Sequence, residues 1–251
     1  MTDRMSGKSG IVTGGARGIG RELAAAFAAA GARVAIWDTD GDAARAAATE
    51  VGAGAIADTV DVTDESGVGA AVETVLGAYG QIDFLINNAG IRHVSPIAEE
   101  PVDAWRRTID VNVNGTFICS KAVIPAMVAA GGGHIVNLAS MAGQLALRER
   151  AAYNTSKAAI VGLTKSIAVE VGDAGVYCNA VAPGVIETPL SAPYFEDESM
   201  VKVLRENSPM GRWGQVDEIS GPVLFLCSEE SSFVNGVTLF VDGGWTAGKG
   251  Y

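Results

Sequence analysis

The 251-residue chain reads as an α/β protein, a doubly wound, seven-stranded parallel sheet with helices on both faces. Three observations lead there. Short apolar runs without polar alternation recur along the chain, as strands buried on both faces require. Alanine-rich amphipathic stretches separate them at the spacing of crossover helices. A glycine-rich turn joins the first apolar run to the first of these stretches.

Taken in order, the predicted strands span 10–13, 33–37, 55–61, 82–87, 134–139, 176–181 and 238–241. Each is predominantly apolar, although 55–61 also carries Asp58, Thr59 and Asp61. The predicted helices span 18–30, 42–51, 64–79, 102–130, 151–171 and 216–227, and each falls between two strands. A long stretch, 183–209, has no periodicity; it carries Pro189, Pro193 and the acidic cluster Glu196-Asp197-Glu198. Loops of that length in compact domains are usually functional, and a substrate lid over about 185–210 is expected. No repeat or long linker divides the chain, so residues 1–251 are read as one domain.

Composition narrows the function. With 48% hydrophobic and 19% charged residues, the chain can bury a large core. The net charge of −11 opposes phosphate backbones, so nucleic acid is excluded as a partner. No apolar run reaches the ~18–20 residues of a membrane span, and residues 1–8 do not resemble a signal peptide. Cys119, Cys178 and Cys227 have no metal-ligand spacing and sit among apolar neighbours. Reduced thiols, a cytoplasmic location and no metal are the expectation.

Chemistry concentrates at Tyr153-Asn154-Thr155-Ser156-Lys157. On a helix, Tyr153 and Lys157 share one face. A tyrosine titrates near pH ~10, and an adjacent ammonium favours the phenolate. Lowered in this way, Tyr153 becomes a general base for an alcohol.

A second constellation opens the chain. Ile11-Val12-Thr13 runs into Gly14-Gly15-Ala16-Arg17-Gly18-Ile19-Gly20, ahead of a helix. Glycines at 14, 18 and 20 permit a sharp turn and bring backbone amides to a pyrophosphate at the helix N-terminus. The next strand ends at Trp37-Asp38, eighteen residues past Gly20. A carboxylate there accepts from ribose hydroxyls and repels a 2′-phosphate. NAD is therefore expected over NADP, with Arg17 the one contrary feature.

Taken together, these residues resemble the short-chain dehydrogenase/reductase family in its compact form. The resemblance covers 10–244 and rests on Thr13 to Gly20, Asn87-Asn88-Ala89-Gly90, Asn112-Val113-Asn114-Gly115, Ser140 thirteen residues before Tyr153, Tyr153 and Lys157, and Pro183-Gly184. It implies a Rossmann-like sheet and a pyridine-nucleotide oxidoreductase acting on CH–OH groups. It further implies that Ser140 holds the substrate oxygen, Tyr153 removes the proton, and Lys157 tunes Tyr153 and binds the nicotinamide ribose. Asn112 is implied to anchor a water in a proton relay. Asp61 and Val62 are implied beside the adenine, Asn88, Ala89 and Gly90 at the adenine-side sheet end, and Pro183, Gly184, Ile186 and Thr188 along the nicotinamide. The family is commonly a homotetramer, and the tail 245–251 is a candidate to reach a neighbouring pocket.

For the substrate, the pocket is expected to draw on Arg92, His93, Gln144, Arg148, Glu149 and Arg150. That polar set suits a polyol, sugar or hydroxy acid; an arginine fork suits a carboxylate. The alternative is a 3-oxoacyl-(acyl carrier protein) reductase using NADPH. Against it, the positions where such enzymes carry docking arginines read Gly131 and Ala174, and the chain's charge repels an acidic carrier.

Overall fold

A computed structural model describes residues 4–248. Its sheet contains β1 (Ser9–Thr13), β2 (Arg33–Asp38), β3 (Ile56–Thr59), β4 (Phe84–Asn87), β5 (Gly133–Leu138), β6 (Val176–Pro183) and β7 (Thr238–Val241). Their order is β3-β2-β1-β4-β5-β6-β7, and every pairing is parallel. The seven predicted strands are thus present, with ends moved by a few residues. Order reverses between β1 and β4, so the strand ends there open a crevice for ligands.

Successive strand residues feed opposite layers. Val12, Val34, Ile36, Phe84 and Ile86 pack with Leu23 and Phe27 of α1 (Gly18–Ala29) and with Ile219 and Val223 of α8 (Asp217–Leu226). Ile11, Ala35, Trp37 and Leu85 pack on the other face with Val68, Val72 and Val75 of α3 (Glu65–Tyr79) and Cys119, Val123 and Met127 of α5 (Gly115–Ala129). Strand interiors that stay apolar on both faces are the direct consequence of having a helix layer on each face. The three thiols are buried and unpaired.

Two segments depart from expectation. The helix foreseen over 102–130 is α4 (Val102–Ile109), a π-helical turn (Asp110–Asn114) and α5. Such turns insert one extra residue and frequently mark functional positions. Gly115 is required at its exit, since a Cβ there would lie 2.5 Å from Val62 Cγ2. By length and mean hydropathy of 1.2 the continuous run Val102–Ala129 matches a bilayer span, yet α5 is a crossover helix packed on the sheet. The stretch 183–209 is not wholly irregular, because it holds α7 (Glu198–Asn207). Asp197 caps it, accepting from Ser199 N and Met200 N at 2.8 and 3.4 Å, and Leu204 is its buried residue. The capping aspartate and a following acidic residue were the available signal.

Between β4, β5 and the helices above them runs a buried polar chain. Asn87 Nδ2 donates to Asn137 Oδ1 and Ser120 Oγ at 2.9 and 3.0 Å, and Asn137 Nδ2 donates to Thr164 Oγ1 at 2.9 Å. Thr164 belongs to α6 (Ala151–Val171). Each such group left unpaired would cost about 1–3 kcal/mol, so the chain holds α5 and α6 in register with the strand ends. Asn87 therefore points into the core rather than into the crevice.

Candidate active site

The glycine turn after β1 is held open from β4. Gly14 and Gly18 adopt positive φ, +61° and +55°, where a side chain would be strained. A Cβ on Gly20 would fall 2.2 Å from Gly14 O. Thr13 Oγ1 accepts from Asn88 N and Ala89 N, both at 3.0 Å. Asn88 Nδ2 returns two bonds, to Thr13 O at 3.0 Å and Gly14 O at 2.9 Å. The free amides of the first turn of α1 consequently face a cavity of about 400 Å³. Its lining includes Gly14, Arg17, Gly18, Ile19, Asp38, Asp61, Val62, Asn88, Ala89, Gly90 and Thr188, and Thr188 stands next to Gly18.

These walls fit a pyridine dinucleotide on chemical grounds. Glycine amides at a helix N-terminus suit a pyrophosphate, and the carboxylate of Asp38 suits ribose hydroxyls. Asp38 is oriented by Ala16 N at 3.2 Å on Oδ2 and Asp40 N at 3.1 Å on Oδ1. Arg17 pairs with Asp40 at 2.6 Å rather than standing free above the cavity. Bonds from the Thr63 side chain and backbone, more than the Arg107 pair, hold the Asp61 carboxyl below its ordinary range.

A smaller cavity of about 150 Å³ adjoins the first, and Ile19, Asn88, Gly90 and Thr188 line both. Its walls include Ser140, Tyr153, Lys157, Pro183, Gly184 and Ile186. Ser140 leaves the end of β5, and its Oγ accepts from Ala142 N at 3.1 Å, capping a short turn. Tyr153 and Lys157 project from the first two turns of α6. Lys157 is buried, with Nζ donating to Leu138 O at 2.6 Å and lying 5.7 Å from the centre of the Tyr153 ring. Burial pulls the Lys157 ammonium down to about 8. Asn112, in the π turn, donates from Nδ2 to Ile91 O and Ser156 Oγ at 3.0 and 2.9 Å and accepts from Ile91 N at 2.8 Å. A Cβ on Gly90 would lie 3.3 Å from Asn112 Oδ1 and 3.7 Å from Lys157 Nζ, so both groups approach the Gly90 backbone.

One expectation is corrected in sign. Burial raises the Tyr153 phenol above its usual value; the bond with Ser140, then the charges of Arg92 and Arg150, oppose that rise. The Lys157 ammonium is engaged with Leu138 O rather than with the phenol oxygen.

The residues foreseen for the substrate separate into two groups. Arg92 lines the smaller cavity, and Arg150 reaches Tyr194, another of its walls, at 2.7 Å. His93 instead meets Glu100 at 3.2 Å, and Gln144 and Arg148 are exposed outside the lining. Tyr194 was not anticipated; it contacts Arg92 across a sequence separation of 102 residues, for which no local signal exists. The tail beyond Gly248, with Lys249 and Tyr251, lies outside the described residues.

Comparison with known proteins agrees with this geometry. A family model described as enoyl-(acyl carrier protein) reductase matches residues 14–246. The chain is 42% identical over 244 residues to a 2-dehydro-3-deoxy-L-rhamnonate dehydrogenase (NAD(+)) of Sphingomonas sp. (strain SKA58), covering 97% of each chain. It is 39% identical over 246 residues to a D-threitol dehydrogenase of Mycolicibacterium smegmatis, covering 97% of this chain and 94% of that one. The crystal structure of a gluconate 5-dehydrogenase from Burkholderia cenocepacia J2315, in complex with NADP and tartrate, superposes with a TM-score of 0.94. It is 38% identical, with 98% of this chain and 99% of that chain covered. The protein belongs to the short-chain dehydrogenase/reductase family. It is a pyridine-nucleotide-dependent oxidoreductase acting on CH–OH groups.

Proposed function

We propose that the protein is an NAD-dependent dehydrogenase interconverting a secondary alcohol and a ketone on a polyol, sugar or hydroxy acid. The observation that carries the reading is the grouping of Ser140, Tyr153 and Lys157 around a small cavity that shares a wall with the dinucleotide cleft. Gly14, Gly18, Asp38 and Asn88 to Gly90 would hold the nucleotide, which would supply the hydride acceptor for the carbinol carbon. Tyr153 receives the hydroxyl proton. Ser140 donates to the substrate oxygen and keeps it against Tyr153. Lys157, still charged below about pH 8, lies beside the Tyr153 ring and hydrogen-bonds the nicotinamide ribose. Both Asn112 Nδ2 hydrogens are engaged within the protein, so a relay water next to Lys157 would have to donate to an Asn112 oxygen. Pro183, Gly184, Ile186 and Thr188 border the nicotinamide end. The segment containing Tyr194 and α7 acts as a lid.

The test is oxidation of polyols, aldoses and hydroxy acids with NAD and NADP in parallel. Turnover with NAD supports the proposal. No turnover, together with NADPH-dependent reduction of an acetoacetyl thioester, would favour the acyl-carrier reductase. That second reading has less support, because the relatives named above act on sugar acids and a polyol.

Preference for NAD rests on Asp38 and on Asp40, which occupies Arg17. Asp38→Ala is expected to raise the NADP-to-NAD ratio of kcat/KM by about tenfold or more, the size of one charge-assisted hydrogen bond plus a removed repulsion. An unchanged ratio would show that Asp38 does not read the ribose.

We further propose a cytoplasmic homotetramer. The buried, unpaired thiols suit a reducing compartment. Exposed Phe117 and Val128 on α5, Val169 on α6 and Phe233 before β7 supply apolar surface for subunit contacts. Light scattering that returned a monomer mass would refute the assembly.

A further inference from the structure

Two guanidiniums converge on Tyr194, a wall residue of the smaller cavity. Arg92, on the connection between β4 and α4, donates from Nη1 to Tyr194 Oη at 2.6 Å and from Nη2 to Leu190 O at 2.7 Å. Arg150, immediately before α6, donates from Nη2 to the same Tyr194 oxygen at 2.7 Å and from Nη1 to Arg148 O at 2.6 Å. Both also lie against the Tyr194 ring, 4.9 and 5.3 Å from its centre. Arg150 Nε is buried without a partner among the described residues.

Neither guanidinium meets a carboxylate among the described residues. The chain has 29 acidic residues for 18 basic ones, so carboxylates are not scarce. The cavity walls nevertheless contain no aspartate or glutamate, while Arg92 and Lys157 both border it. A phenol hydroxyl offers two lone pairs and no full charge, whereas a carboxylate offers about four acceptor sites and matches the guanidinium fork. Tyr194 is therefore a weak counter-group for two cations at one point. The same two charges act on the Tyr153 phenol, which sets them within electrostatic reach of the proton-accepting oxygen.

We propose that Arg92 and Arg150 form a carboxylate clamp that takes the acid group of the substrate in place of the Tyr194 hydroxyl, making the enzyme a hydroxy-acid dehydrogenase. The proposal rests on the alcohol-oxidising reading above. It narrows the substrate class: a neutral polyol leaves both guanidiniums without an anion, and a sugar acid satisfies them. Because Arg92 also holds Leu190 O, binding of the acid group is coupled to the lid segment.

The experiment pairs aldonates with polyols of the same carbon skeleton, using wild type, Arg92→Gln and Arg150→Gln. Wild type is expected to favour the acid in kcat/KM by about 100-fold or more, from two charge-assisted contacts. Each variant is expected to raise KM for the acid by about 10–100-fold, with a smaller change in kcat, so the acid-to-polyol ratio collapses. A merely structural role would depress both substrates alike. Oxidation of polyols as well as or better than acids by wild type would overturn the clamp and leave the dehydrogenase reading standing. Failure to oxidise either class, with reduction of an acetoacetyl thioester, would remove both. Should the glutamine variants not fold, the wild-type ratio alone decides.

Discussion

Tyr153→Phe is expected to lower kcat by about 10³-fold, within the range contributed by a positioned general base, while nucleotide binding stays near the wild-type level. The phenol oxygen faces the smaller cavity with Ser140, whereas the dinucleotide cleft is built from the glycine turn, Asp38 and Asn88 to Gly90. Phenylalanine keeps the ring and removes only the group that exchanges the proton. Burial raises the Tyr153 phenol, so the resting enzyme holds the protonated form, and alcohol oxidation should rise as pH moves to the alkaline side. The bond with Ser140 is the largest opposing influence, and Ser140→Ala should shift that limb further to high pH. Nucleotide titration by fluorescence separates the two roles. Loss of binding together with turnover, or retention of most activity, would show that Tyr153 is not the base.

Lys157→Met is the second large effect, and it has two readouts. Turnover should fall by about 10²–10³-fold, the usual loss when a fixed charge at the reacting centre is removed. Stability should respond in a pH-dependent way. Burial holds Lys157 at about 8 in the folded chain against 10.5 for a free lysine. Between those values the unfolded chain retains a proton that the folded chain has released, so wild-type stability gains with rising pH. Below about pH 8 the folded protein carries a desolvated ammonium, a cost on the order of 3 kcal/mol. Methionine carries no such cost, so the melting temperature of the variant minus that of wild type should fall by roughly 6–12 °C between neutral and strongly alkaline pH. A difference constant with pH would mean that the ammonium is not desolvated.

Much of the fold and of the site is legible in the amino-acid sequence. Strands such as β2 and β4, covered on both faces, are apolar throughout their interiors (Val34 to Trp37, Phe84 to Ile86), and that pattern stands out in the sequence. The glycine turn was legible because positive φ and close approach leave few alternatives at Gly14, Gly18 and Gly20. Tyr153 and Lys157 were legible because helical spacing fixes their shared face. The π turn around Asn112 was not, since one inserted residue leaves the apolar pattern of 102–130 nearly intact. Helix α7 was missed because it is short and mostly polar, with a single buried residue. The direction of the Tyr153 shift was missed for a different reason: spacing reveals the neighbouring charge but not the burial that outweighs it. Arg92 and Arg150 were visible as cations, but their meeting at Tyr194 depends on three separate segments brought together by the sheet.

The most direct test of the central claim is isotopic. A hydroxy acid deuterated at its carbinol carbon is incubated with the wild-type protein and oxidised nucleotide, and the reduced nucleotide is examined for the label. Deuterium recovered at the nicotinamide C4, with a slowed rate relative to the unlabelled acid, is the predicted result. Reduced nucleotide lacking deuterium, or no reduced nucleotide from any deuterated polyol, sugar or hydroxy acid, would contradict it.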